Sequence, residues 1–151
     1  MVSDREGYEI QLVRGDMADP LPFEDGSFDM VVNPVSNHYV EDVDPVFQEV
    51  FRVLVPGGAF LAGLDTGILW AFEPGGVLAH KLPFNPMKDR ELRKKLFLEN
   101  EAYVFSHTLE EQIGGQLRAG FALADILEDV DDDKLGEYNI PTSILTRAVK
   151  R

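Results

Sequence analysis

Two short polar stations stand where this chain could do chemistry: Gly15-Asp16-Met17, and Asn33 followed by Asn37-His38-Tyr39. Each follows an apolar run of strand type, at 8–14 and 28–32. In an open α/β sheet, ligands sit beyond the carboxyl ends of the strands, so Asp16 and Asn33 are expected to face one crevice. A carboxylate and a carboxamide there suit a small molecule held by hydrogen bonds. His38 adds a group whose ordinary chemistry suits proton transfer near neutrality. Each residue also has a plainer reading: Asp after a strand stabilises a turn, Asn before Pro favours one, and a lone loop histidine is commonly structural. Two other constellations fall away. Ser106-His107-Thr108 lacks the Gly-x-Ser-x-Gly turn of a nucleophile, and Thr108 is better used as a helix cap. Asp129, Asp131 and Asp133 begin like a calcium loop, but Lys134 takes the glycine position and Ile140 that of the final glutamate.

The elements that must position these residues follow from periodicity and punctuation. The runs at 8–14 and 28–32 read as strands of a parallel sheet, the second nearly continuous in apolar residues. Pro34 keeps the chain extended into the 35–43 loop. Asp44 can cap a helix whose first position is Pro45, with Val46, Phe47, Val50, Phe51 and Leu54 on one face and Pro56-Gly57-Gly58 as its stop. A strand at 59–64 follows. Residues 65–106 form an irregular insertion with a charged helix at 89–100, long enough to act as a lid over a substrate. Thr108 and Glu111 make a capping box, opening a helix with Leu109, Ile113 and Leu117 stacked and Gly120 as its end. Strands at 121–127 and 143–149 complete the chain, with an acidic turn between them.

Composition sets the outer bounds. A chain of 151 residues with 44% hydrophobic content suits one domain with a real core. The formal net charge of −13 offers no electrostatic footprint for nucleic acid or an anionic membrane, so neither is expected as a partner. There are no cysteines, hence no disulfide framework or thiolate metal site, and no metal is expected. No stretch approaches the roughly 20 apolar residues that span a bilayer, and no leader pattern is seen; a cytoplasmic location is expected.

Taken in order, Gly15-Asp16-Met17 with Leu21-Pro22-Phe23, then Ser27-Phe28-Asp29-Met30-Val31-Val32, then Arg52-Val53-Leu54-Val55-Pro56-Gly57-Gly58, resemble the middle and end of a class I S-adenosylmethionine-dependent methyltransferase of the methyltransferase type 11 kind. The resemblance runs on through Phe105-Ser106-His107-Thr108-Leu109-Glu110-Glu111-Gln112-Ile113 and Ala119-Gly120-Phe121, so it covers nearly the whole chain. It implies a partial Rossmann-like α/β fold, a mostly parallel sheet made of strands 3 to 7 of the family with flanking helices. The family order is 3-2-1-4-5-7-6. No glycine-rich first turn or second-strand acid is found in this sequence, so residues 1–151 are expected to form a single, N-terminally incomplete domain. The fourth strand would then show an unpaired apolar edge, inviting a homodimer.

The resemblance also implies roles. S-adenosylmethionine is the cofactor and a small molecule the methyl acceptor. Asp16 would accept a hydrogen bond from the adenine amino group and Met17 would cover the ring. Asn33 would approach the methionine moiety, with Asn37 beside it. His38 and Tyr39 stand where the family often has one or two histidines, and His38 would orient or deprotonate the acceptor. Trp70 and Phe72, with Phe84, would either line an acceptor pocket or pack the insertion onto the sheet. A non-catalytic interaction module, completed by a partner chain or a second copy, is the competing reading.

Overall fold

The apolar run after Ser27 extends as β1, Phe28–Pro34, in the computed structural model, which describes residues 5, 7, 9–73, 76–98, 102–130 and 135–151. A 3-10 turn, Ser36–Tyr39, leads to α1, Asp44–Val53, whose apolar stripe of Val46, Phe47, Val50 and Val53 is buried. Asp44, expected as the cap, is instead the first helical residue. Its carboxylate turns outward to Arg118 at 2.9 Å, while Asp42 accepts the Asp44 amide at 3.0 Å. The stop also differs from expectation. The helix ends at Val53, where the Lys150 ammonium donates to Phe51 O and Leu54 O, both at 2.7 Å, and satisfies carbonyls the helix leaves open. The next strand, β2, begins at once and runs Leu54–Asp65 rather than 59–64. Pro56-Gly57-Gly58 therefore lies inside β2, where the register against β1 slips between Phe28 and Met30. A Cβ on Gly58 would stand 2.8 Å from Val55 O and 3.1 Å from Asp29 O, so only glycine lets the two strands close here.

The insertion holds a 3-10 turn (Ile68–Ala71), a small hairpin of β3 (Phe72–Glu73) and β4 (Val77–Leu78), and α2 (Arg90–Leu98), capped by the Asp89 carboxylate at Glu91 N and Leu92 N. Asn100, the expected end of that helix, lies outside the described residues, as do Tyr8, Asp131, Asp133 and Lys134. The capping box forms reciprocally, Thr108 N to Glu111 Oε2 at 2.7 Å and Glu111 N to Thr108 Oγ1 at 3.1 Å. It opens a π turn, Glu110–Gly114, which continues as α3, Gly115–Ala119, and ends on Gly120 at φ +108. The π turn alters the expected stack of Leu109, Ile113 and Leu117, of which Ile113 packs against the core. One extra residue in the turn rotates the face, leaving Leu109 and Leu117 about half exposed and burying Gln112, Gly115 and Gln116. Last come β5, Phe121–Asp129, and β6, Ser143–Lys150.

Strands β1, β2, β5 and β6 form one sheet in the order β1-β2-β6-β5, with β6 reversed and the other three running the same way. This is the order of the last four members of the implied family sheet. Of the run expected at 8–14 as a fifth strand, residues 9–14 form no ladder among the described residues, and Ile10 and Leu12 are exposed. A strand is defined by its ladder, and an extended segment without a neighbour has no cooperative bonds to hold it.

One face of the sheet is covered by α1 and α3 over a core of Phe47, Leu54, Phe60, Leu64, Phe121 and Ile144. Phe60 meets Phe47 edge-on at 6.1 Å and lies 5.5 Å from Phe121. The opposite face is apolar and open: Met30 is 55%, Val32 59%, Leu127 58% and Leu145 41% exposed. Among the described residues no helix is long and apolar enough to cross a membrane.

Candidate functional site

The site is built at the carboxyl ends of β1 and β2. Asn33, the last core-facing residue of β1, is buried with its amide turned into the following loop. Its Nδ2 donates to Asn37 Oδ1 at 2.8 Å, and its Oδ1 accepts from the Ser36 amide and hydroxyl. Val35 takes φ +57, an uncommon conformation for a β-branched residue, and is held there by its amide, 3.1 Å from both Asn33 O and Gly63 O. A Cβ at Gly63 would lie 2.9 Å from the Val35 side chain, so β2 contributes the space that this bend requires.

Two polar atoms on the loop have no partner. Asn37 is 2% exposed, and its Nδ2 is buried without an acceptor; Nδ1 of His38 is buried and unpaired as well. Burying a polar group without a partner costs roughly 1–3 kcal/mol, and these two orphans fall on adjacent residues of one loop. Tyr39 stands exposed with its ring 4.0 Å from that of His38.

The first station folds as a tight turn. Asp16 Oδ1 accepts the Ala18 amide at 2.9 Å and Asp16 O the Asp19 amide at 3.2 Å, which is the turn-stabilising use of an aspartate. Met17 packs against the core. Arg14, Gly15, Asp16, Met17, Tyr39 and Val40 line an open cleft of about 720 Å³. The structure thus brings Asp16, Met17 and Tyr39 together, with Asn37 and His38 adjoining Tyr39 in its loop and Asn33 bonded beneath them. It does not bring Trp70 or Phe72 into that cleft. Trp70 Nε1 donates to Asp65 Oδ2 at 3.4 Å and its ring meets Phe84 at 5.7 Å, edge-on, while Phe72 pairs with Leu78 in the hairpin.

The loop after the Asp16 turn is held by charge. Arg52 Nη1 donates to Phe23 O and Asp25 Oδ1, both at 2.8 Å, and Nη2 to Leu21 O at 3.0 Å and Glu49 Oε2 at 2.7 Å. Glu49 in turn accepts the Leu21 amide at 2.7 Å. The Arg52 hydrogen bond holds the Glu49 carboxyl below the ordinary carboxylate range against the opposing effect of burial, and Glu49 reciprocally raises the Arg52 guanidinium.

Several supporting residues escaped sequence reasoning. Asp65, at the end of β2, accepts the Gly67 amide at 2.6 Å as well as Trp70. Gln112 Nε2 donates to Asp65 O at 2.8 Å, Gln116 Nε2 to Gln112 O at 3.2 Å, and Thr146 Oγ1 to Gln116 Oε1 at 3.1 Å, all in the interior behind the site. The spacing of two glutamines four apart was the available signal, hidden by the leucines that share their segment.

A family model described as a methyltransferase domain matches residues 2–62. A protein of Bacillus subtilis named as an uncharacterized methyltransferase is 40% identical over 158 residues, covering 99% of this chain and 62% of its own length. Among solved structures, an S-adenosylmethionine-dependent methyltransferase of Mesorhizobium loti superposes with a TM-score of 0.68 at 23% identity, over 91% of this chain and 68% of that one. Another from Listeria monocytogenes, named as a possible enzyme of the same kind, gives 0.69 at 17%, over 100% and 76%. The chain therefore spans about three fifths of the length of its Bacillus relative. The methyltransferase-domain match over residues 2–62, the Bacillus likeness and the sheet order together make the chain similar to class I S-adenosylmethionine-dependent methyltransferases in sequence and in fold.

Proposed function

We propose that this chain is the carboxyl-terminal part of the catalytic domain of a methyltransferase that moves the methyl group of S-adenosylmethionine to a small-molecule acceptor. The observation that supports it most is the pair of orphaned buried atoms, Asn37 Nδ2 and His38 Nδ1, in the loop whose Tyr39 lines the open cleft with Gly15, Asp16 and Met17. A cleft of about 720 Å³ suits a ligand of nucleoside size. In this reading Asp16 accepts from the adenine amino group through the oxygen its turn leaves over, and Met17 covers the ring. Asn33 and Asn37 hold the methionine end.

When bound, the cofactor supplies an activated methyl group for in-line displacement. The residues of this chain bind, orient and keep water out, since positioning is most of what such a transfer needs. His38, its ring tilted against that of Tyr39, orients the acceptor and takes its proton at Nδ1. The 65–106 segment, with Trp70 and Phe72, selects the acceptor as a lid. A cytoplasmic location belongs to the same reading.

This sequence holds no glycine-rich cradle and no ribose-binding acid, and the sheet face that helices would cover is open. Cofactor binding by the chain alone is therefore weak. Isothermal titration with S-adenosylmethionine compares the chain with a version extended upstream. The extended form is expected to bind about thirtyfold tighter or more, and its Asp16→Ala variant about tenfold weaker than that. Equal binding by both forms defeats the partial-domain reading, and an indifferent Asp16→Ala defeats the adenine role. The open edge of β1 favours a second reading, a sheet completed by another copy; light scattering that shows a well-folded monomer removes it.

A further inference from the structure

His107 is a buried titratable side chain that the reading above leaves without a part. Its Nε2 lies 3.1 Å from Asn37 O and 3.0 Å from Val40 O, at the two ends of one short turn. Two carbonyl oxygens converging on a ring nitrogen require that nitrogen to carry a hydrogen, because a bare Nε2 would set its lone pair against both. The ring is therefore held in an Nε2–H form, sharing one donor between two acceptors. Its neighbours pull the same way. Phe105 N donates to His38 O at 2.8 Å, so the 105–107 segment satisfies the carbonyls of residues 37, 38 and 40 across a sequence gap of about seventy residues. On its other side Ser106 is tied twice to Phe84, its N to Phe84 O at 3.1 Å and Phe84 N to its Oγ at 2.7 Å.

We propose that His107 is the positioning residue of the crevice loop: by fixing the carbonyls of Asn37 and Val40, it keeps Asn37 Nδ2 and His38 Nδ1 buried and unpaired and presents the turn, through Tyr39 and Val40 at the cleft wall, to a ligand. The fixed carbonyls leave the backbone of residues 37–40 little freedom to rotate those side chains toward other partners. The role of the loop in holding cofactor rests on the proposed function; the positioning itself does not. Ser106, the serine of the apparent nucleophile pair, is a strut between this clip and the insertion.

Three variants separate donation from volume. In His107→Gln the amide nitrogen reaches the place of Nε2. His107→Asn stops short of it, and His107→Phe fills the ring space with no donor. Nitrogen-15 spectra of the wild-type imidazoles at one fixed pH are expected to show a proton on Nε2 of His107. Amide exchange at Val40, whose N–H donates to Asn37 O at 3.2 Å, is expected to speed about tenfold or more in the Phe and Asn variants and to stay within about threefold in the Gln variant. The His38 ring signals should move in the same two variants only.

An Nδ1–H tautomer in the wild type overturns the proposal even if every variant unfolds. So does a folded His107→Phe whose Val40 exchange and His38 signals match the wild type, or a Gln variant no better than Phe. A last arm titrates S-adenosylhomocysteine into each variant, with about tenfold weaker binding expected for Phe and near wild-type binding for Gln. If the wild type binds none either as this chain or in the extended form while the spectra hold, the cofactor reading falls and the positioning stands. Binding that is equal in all three, with the spectra holding, separates the loop from the ligand and overturns presentation.

Discussion

Two adjacent glycines, Gly114 and Gly115, test how closely α3 rides on α1, because an added methyl group should have opposite effects at the two sites. Both have ordinary right-handed helical backbones, at φ −61 and φ −59, so neither needs to be glycine for conformational reasons. Replacing a helical glycine by alanine is worth about 1 kcal/mol by itself. At Gly115 the new Cβ would meet Phe47 Cδ2 at 2.7 Å, Asp44 Oδ1 at 2.8 Å and Phe47 Cε2 at 2.9 Å. Phe47 is fully buried against Phe60 and has nowhere to retreat, so the overpacking cost is at the upper end of the usual ~1–3 kcal/mol. The net for Gly115→Ala is a loss of about 2 kcal/mol. At Gly114 the nearest atom is Nη1 of Arg118, 3.0 Å away at the tip of a half-exposed side chain, which can swing aside. Gly114→Ala should therefore stabilise by about 0.5–1 kcal/mol. For a chain of this size, thermal unfolding followed by far-ultraviolet circular dichroism should show Tm about 4–8 °C lower for Gly115→Ala and about 2 °C higher for Gly114→Ala. Urea midpoints should move in the same directions. Shifts of the same sign, or a Gly115→Ala as stable as wild type, would mean that the two helices stand further apart than described and that the covered face of the sheet is less firmly closed.

Two further outcomes follow from the polar interior and the charged clamp. Thr146→Val removes the donor to Gln116 Oε1, an oxygen with no exposure to water, and should cost about 1–2 kcal/mol in urea unfolding despite its conserved shape; a neutral result would mean that Gln116 finds another donor. Glu49 has its folded carboxyl held below the ordinary value of 4.5, so the stability it contributes is fully present above that value and is lost as pH falls through the lower folded one. Glu49→Gln should therefore lower Tm at pH 7, and the deficit should close as the solution is taken below about pH 4.5; a deficit that is constant with pH refutes the Arg52 clamp.

What the sequence made legible was what local pattern and punctuation determine. The apolar runs became β1, β2, β5 and β6, the Val46, Phe47, Val50 stripe became the buried side of α1, and Thr108 with Glu111 closed as a capping box. What stayed hidden depends on partners far along the chain. Lys150, not the Pro-Gly-Gly run, satisfies the end of α1 from about a hundred residues away, which frees that run to serve as a bulge inside β2. The 9–14 segment has the composition of a strand, but composition does not supply a neighbour. The four-residue spacing of Leu109, Ile113 and Leu117 assumed a regular α turn, and one extra residue in a π turn was enough to bury the glutamines instead. At the candidate site, the polar residues at 33–39 do follow β1, as their position suggested, whereas the run before Asp16 forms no strand among the described residues. Neither Gly63 making room for Val35 nor His107 fixing the loop carbonyls could be read, because both act through space.

The open face and the finished loop have a joint consequence for binding. Every anchor of the crevice loop described here comes from β1, β2 or the 105–107 segment, and none comes from the side of the sheet that carries Met30, Val32, Leu127 and Leu145. An element that covers that face gains free energy from the apolar area it removes from water, at about 25 cal/mol per Å². It does so without having to order the loop, whose strained Val35 and buried asparagines are already in place. Preorganisation of that kind lowers the cost of ligand ordering, so completing the sheet should raise cofactor affinity chiefly by adding contacts rather than by rebuilding the loop. Loop exchange at Val40 should then be the same before and after the face is covered, while affinity for S-adenosylmethionine rises. If the two instead change together, the loop is made by the completed sheet and not by this chain.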